Sequence, residues 1–135
     1  MIGGIRVPAG AAVIGIGIDV VAIERFVLSL DRTPSLRQRL FGPAELLTAG
    51  GAARSDASLA ARFAVKEAVA KALGVPPGMD WHHCTVTSMN SGRPLLVVTE
   101  TVAAVAANAG VISWQISISH DGGIAAAVVL AMGAS

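Results

Sequence analysis

The sequence holds no tyrosine, only three phenylalanines and two tryptophans, and just 14% of its residues are charged. With so few rings the interior has to be built from Ala, Val, Leu and Ile, and with so little charge the surface cannot be fully covered by polar heads. Such an excess of apolar surface points to an oligomer. One cysteine, Cys84, excludes an internal disulfide framework and suits a reducing compartment, so a cytoplasmic location is expected. Long apolar runs are missing too: the longest, residues 124–132, falls well short of the about 18 residues that a bilayer-spanning helix needs. The stretch 11–18 could imitate a signal-peptide core, but Asp19, Glu24 and Arg25 interrupt it and no small-residue cleavage site follows. A net charge of +1 excludes a nucleic-acid coat or a polybasic membrane anchor. Charge can act only locally. Arg25, Arg32, Arg37, Arg39 and Arg54 make up half of the ten basic residues, forming either a solvated face or a site for an acidic partner.

What is present fits one domain of 135 residues, long enough to bury a core of its own. Residues 1–12, rich in Gly, Ala and Pro, read as a flexible leader, and the domain as 13–135. Residues 13–19 alternate glycine with β-branched side chains, a pattern for a buried strand lying close against another backbone, with Asp19 at its end. Val20, Ile23, Val27 and Leu30 then fall at helical spacing, which predicts an amphipathic helix over 20–30. Residues 35–47 read as short helices broken at Gly42 and Pro43. Ser55 or Asp56 caps a long Ala-rich helix that Gly74, Pro76 and Pro77 stop near Leu73. Strands over 84–89 and 95–98 form a hairpin around Asn90, Ser91 and Gly92, and Thr99 or Thr101 caps a helix to Asn108. Two further strands, 114–119 and 124–130, flank a turn from His120 to Gly123. The expected class is α+β, with antiparallel pairing dominant.

In the long helix, positions 59, 63, 67 and 71 form one stripe, since each step of four advances only about 40° around the axis. Glu67 and Lys71 lie on that stripe among apolar neighbours, where an ionised group costs several kcal/mol unless it is paired or binds something. The plain alternative is an exposed i,i+4 pair contributing about 0.2–0.5 kcal/mol. Asp19 favours the site, because a carboxylate following an apolar strand lies where ligands collect. Two carboxylates from separate elements suit Mg²⁺, which prefers oxygen ligands and completes its shell with waters and phosphate oxygens. Lys71 could meet the same phosphates as a point charge. His120 could contact a phosphate or move a proton, and Asp121 could accept one, against the alternative of a simple Asx-type turn. His82, His83 and Cys84 resemble a zinc cluster by composition only, since neighbours on a strand point to opposite faces. A dinucleotide fingerprint fails, because its third glycine would fall at Val20.

Gly15-Ile16-Gly17-Ile18-Asp19-Val20 together with Arg62-Phe63-Ala64-Val65-Lys66-Glu67-Ala68-Val69-Ala70-Lys71-Ala72 resembles the holo-acyl-carrier-protein synthase group of 4′-phosphopantetheinyl transferases. Arg39-Leu40-Phe41 with Glu45, the turn Gly92-Arg93-Pro94, and Ser117-Ile118-Ser119-His120 are similar to that family as well. The resemblance implies the family fold and a reaction in which a serine hydroxyl of apo acyl carrier protein attacks the β-phosphate of coenzyme A, giving holo carrier and 3′,5′-ADP for fatty acid or polyketide synthesis. It implies that Asp19 and Glu67 hold Mg²⁺, that Lys71, Arg62 and His120 lie by the coenzyme's phosphates, and that Gly92, Arg93 and Pro94 lie near its adenine. Docking of the acidic carrier would fall to Arg25 and Arg32, and the family's homotrimers would set the sites between subunits. For the general base, Glu67 acting through a water, His120 and Asp121 all stay open. So do two other readings of the residues, a non-catalytic binding module and a different nucleotide-binding enzyme.

Overall fold

The computed structural model describes residue 5, residues 7–88 and residues 92–135. Residues 1–4 and 6 of the expected leader and the turn residues Met89, Asn90 and Ser91 lie outside the described residues. Strand β1 spans Ala11–Ala22 and helix α1 Ile23–Arg32. Two short helices follow, α2 over Leu36–Leu40 and α3 over Pro43–Leu46, then the long helix α4 over Asp56–Ala72. Strands β2 (Cys84–Ser88) and β3 (Pro94–Val98) form an antiparallel pair. Helix α5 covers Glu100–Asn108, and strands β4 (Ser113–Asp121) and β5 (Ile124–Ala134) complete the chain. The larger sheet has the order β1-β5-β4, antiparallel throughout. This is an α+β architecture.

Alanine and glycine decide how the layers meet. Helix α4 lies on one face of the larger sheet, with Ala60, Ala64, Val65, Ala68 and Val69 against Ala125, Ala127, Val129 and Ala131, all essentially inaccessible. A Cβ at Gly15 would stand 2.1 Å from the carbonyl oxygen of Ala72, and one at Gly17 would stand 1.7 Å from that of Ala68. The two glycines therefore let the backbones of β1 and α4 touch, as their alternation with Ile predicts. Ser55 caps α4, its Oγ accepting from the Ser58 N–H at 3.2 Å, and Gly74 leaves the helix at φ 81°.

Several boundaries differ from the sequence reading: β1 begins at Ala11, inside the expected leader, and β5 runs on to Ala134. Asp19 does not end β1. Val20, Val21 and Ala22 continue the ladder opposite Ala126, Ala125 and Ile124, and the Ile23 N–H donates to the Gly123 carbonyl at 2.9 Å before α1 begins. Sheet pairing of β-branched residues outweighs the helical spacing that Val20 shares with Ile23, Val27 and Leu30. Asp19 thus lies inside the strand, and alternation turns it toward α4 together with Gly15 and Gly17. At the other hairpin β4 runs through His120 and Asp121, leaving only Gly122 and Gly123, at φ 57° and 79°, as a two-residue turn.

Candidate active site

Alternation on β1 and the four-residue step on α4 bring three charged side chains to one spot. The Lys71 ammonium stands 2.9 Å from Asp19 Oδ1 and also donates to the Ile18 carbonyl at 3.0 Å. Lys71 therefore pairs with the strand carboxylate and not with Glu67 one turn below it on its own helix. Glu67 faces the same place. With Asp19 it lines a cavity of about 300 Å³ whose wall continues through Arg25, Phe26, Ser29 and Phe63. Burial first, then the Asp19 charge, push the Glu67 carboxyl above the usual carboxylate range, and Lys71 pulls it partly back. Phe26 stacks on Phe63 at 5.2 Å between centroids, so α1 is fastened to α4 by two rings that line the cavity.

The donor chemistry fits a hard divalent cation. Asp19 and Glu67 offer carboxylate oxygens from two rigid elements beside open space. Among the described residues no group of three or more His, Cys, Asp or Glu could hold a metal ion. The remaining coordination positions of an ion bound here would fall to water or a ligand's phosphate, as Mg²⁺ prefers. Closely placed carboxylates repel one another, and a cation between them removes that penalty.

The remaining expected residues are spread more widely. Arg25 lines the cavity, whereas Arg32 lies exposed in the last turn of α1. His120 shares a row with Ala125 and Val21, on the sheet face that α4 covers but two strands from β1, about 10 Å across. It and Asp121 are exposed and do not line the cavity. Arg62 is buried, donating to Ser58 Oγ at 2.7 Å while its Nε has no partner. Burial lowers its pKa, the Arg54 charge adds to that, and Glu45 opposes both. Gly92 adopts φ 83°, and Arg93, whose Nη2 reaches Gln115 Oε1 at 3.4 Å, shares a second cavity of about 470 Å³ with Pro94 and Trp114 between β3 and β4.

The sequence reading missed a second charged pair on α4. Lys66, fully buried, donates to Glu45 Oε1 at 2.8 Å and to the carbonyls of Trp81 at 2.8 Å and Cys84 at 2.6 Å. Glu45 in turn accepts from the Val86 and Gly42 N–H groups at 3.1 and 3.2 Å. The signal was present, since Lys66 sits among apolar neighbours as Glu67 does, but its partner lies 21 residues away. His82, His83 and Cys84 go to separate surroundings: His82 meets the Gln38 carbonyl, and His83 meets Thr101 and Glu100. Cys84 is buried, its thiol pushed up to about 12 by that burial, so it offers no nucleophile at neutral pH.

Residues 15–129 match the 4′-phosphopantetheinyl transferase superfamily. The chain is 59% identical over 122 residues to a holo-[acyl-carrier-protein] synthase of Streptomyces avermitilis, covering 90% of this chain and 99% of that one. It is 56% identical over 119 residues to the enzyme of that name from Salinispora arenicola, covering 88% and 98%. Among solved structures it is similar to the Helicobacter pylori holo-[acyl-carrier-protein] synthase in complex with coenzyme A, with a TM-score of 0.73 and 30% identity over 89% of this chain and 99% of that one. Matched along nearly its whole length in sequence and in fold, the chain belongs to the 4′-phosphopantetheinyl transferase superfamily.

Proposed function

We propose that the chain is a magnesium-dependent holo-acyl-carrier-protein synthase, moving the 4′-phosphopantetheine of coenzyme A onto a serine hydroxyl of an apo acyl carrier protein of fatty acid or polyketide synthesis. The observation that carries this reading is the meeting of Asp19, Glu67 and Lys71 beside a cavity open to α1, within a chain of this family. Mg²⁺ held by Asp19 and Glu67 would neutralise charge on the coenzyme's diphosphate. Serine oxygen attacks the β-phosphorus, the bond to the bridging oxygen breaks, and 3′,5′-ADP departs with the electron pair. The serine proton passes to Glu67 through a water, or to His120 or Asp121. Lys71, Arg62 and His120 bind phosphate oxygens, and Gly92, Arg93 and Pro94 border the adenine, for which the cavity between β3 and β4 leaves room. Arg25 and Arg32 attract the acidic carrier; Arg25 reaching the same cavity as Glu67 supports that docking.

The active form is a homotrimer with sites shared between copies. Ile16, Ile18 and Val20, 58–62% exposed, form an apolar row on the sheet face opposite α4, where association would bury them. His120, two strands away from Asp19, then serves the cavity of a neighbouring copy. Among the described residues no helix is long and apolar enough to cross a membrane, and the single reduced Cys84 fits action in the cytoplasm.

Incubation with coenzyme A, Mg²⁺ and an apo carrier protein should add one phosphopantetheine mass to the carrier by mass spectrometry. Asp19→Ala should lower that rate by about 10³-fold or more, on the scale of losing a principal charge-stabilising group, with the circular dichroism spectrum unchanged. No transfer to any of several carriers overturns the proposal.

A further inference from the structure

The ammonium of Lys71 has three N–H donors, and two of them are engaged on β1, one with Asp19 Oδ1 and one with the Ile18 carbonyl. Asp19 is the carboxylate that a divalent cation beside Glu67 also needs. Lysine and cation therefore compete for one group. The ion pairs among the described residues do not include Glu67, so the competition falls on Asp19 alone.

Charge balance makes the competition conditional. With both carboxylates ionised, the three side chains sum to one negative charge, which Arg25 on the same cavity wall balances. A divalent cation by itself leaves two positive charges in excess, with its own repulsion from the ammonium added at close range. A diphosphate brings two negative charges and restores the balance. It also offers the ammonium new oxygens. Lys71 is 46% exposed and its four-carbon stem is flexible, so the head can leave Asp19 toward solvent without disturbing α4.

We infer that Lys71 is a charge gate of this site: its ammonium holds Asp19 against a divalent cation, and a diphosphate ligand draws it off, so that metal entry is coupled to diphosphate binding. This rests on the metal reading of Asp19 and Glu67. Lysine is here a positioning residue for the cation in addition to its contact with phosphate.

The test titrates Mn²⁺, an oxygen-seeking substitute for Mg²⁺, into the full chain without coenzyme A, counting free ion by electron paramagnetic resonance. Lys71→Met and Lys71→Gln should each bind Mn²⁺ alone about 10-fold more tightly than the wild type, within the usual range of coupling between ligands. Both variants should bind coenzyme A more weakly in the presence of Mn²⁺. Equal or weaker binding of Mn²⁺ alone by both variants overturns the gate and leaves the metal site standing. No uptake of Mn²⁺ by any of the three proteins, even with saturating coenzyme A, overturns the metal reading and the gate together.

Discussion

Helix α4 carries two lysine–carboxylate pairs five residues apart, and they are built in opposite ways. Lys66 and Glu45 are 0% and 1% exposed, and the lysine's three protons go to Glu45 and two carbonyls. Lys71 and Asp19 are 46% and 16% exposed, with one ammonium proton left over and a carboxylate opening on a cavity. The first pair has every ammonium proton engaged, is closed to solvent, and ties α3, α4 and β2 together. The second keeps capacity for a ligand. Ion pairing alone therefore says little about role; what separates the two is whether every ammonium proton is already engaged and whether the carboxylate is open to a ligand.

Breaking each pair should give unequal results. Glu45→Ala leaves the Lys66 charge buried without its counter-ion and should cost about 3–5 kcal/mol in urea unfolding, whereas Lys71→Met should cost no more than about 1 kcal/mol. Equal losses would remove the distinction between a sealed and an open pair. Gly17→Ala probes what sets the open pair's spacing. Its Cβ would collide with the Ala68 carbonyl, so we expect a loss of about 1–3 kcal/mol by overpacking and weaker Mn²⁺ binding as α4 backs away from Asp19. Stability and affinity both unchanged would mean that the two backbones do not hold the site together.

The smallest effect sharpens the open side. A carboxyl raised on folding binds its proton more tightly in the folded chain, so its contribution is full below the unfolded carboxylate range, about 4, and is lost as pH rises through the raised value. Glu67→Gln should therefore have a higher melting temperature than wild type at pH 7 without metal. The difference should shrink as pH falls to about 4. A gap that stays constant with pH would show that burial of Glu67 is not what drives it.

Much of this comparison could be read from residues alone, and the limits are physical. Gly74, Pro76 and Pro77 bound α4 by local conformation, and Glu67 stands out because charge among alanines needs a reason. Asp19 reads from the sequence as the end of its strand, and its position inside β1 is hidden because Val20 and Ile23 fit helix and strand patterns alike. The Lys66–Glu45 pair depends on a contact across 21 residues that no local pattern encodes. Lys71 choosing Asp19 over Glu67 depends on how closely β1 and α4 approach, which the glycines permit but do not announce. The roles expected for Arg62 and His120 do not follow from the geometry described, where Arg62 is buried against Ser58 and His120 does not line the cavity.

The glycine contact between β1 and α4 has a mechanical meaning. Gly15 and Gly17 meet the carbonyls of Ala72 and Ala68 with no side chain between them. The gauge length from Asp19 to Glu67 is thus set by a hard stop of main chain on main chain. Side chains hop between rotamers and soften on warming; peptide units in contact scarcely do. The site's spacing should therefore hold nearly constant with temperature up to the point where the fold itself gives way.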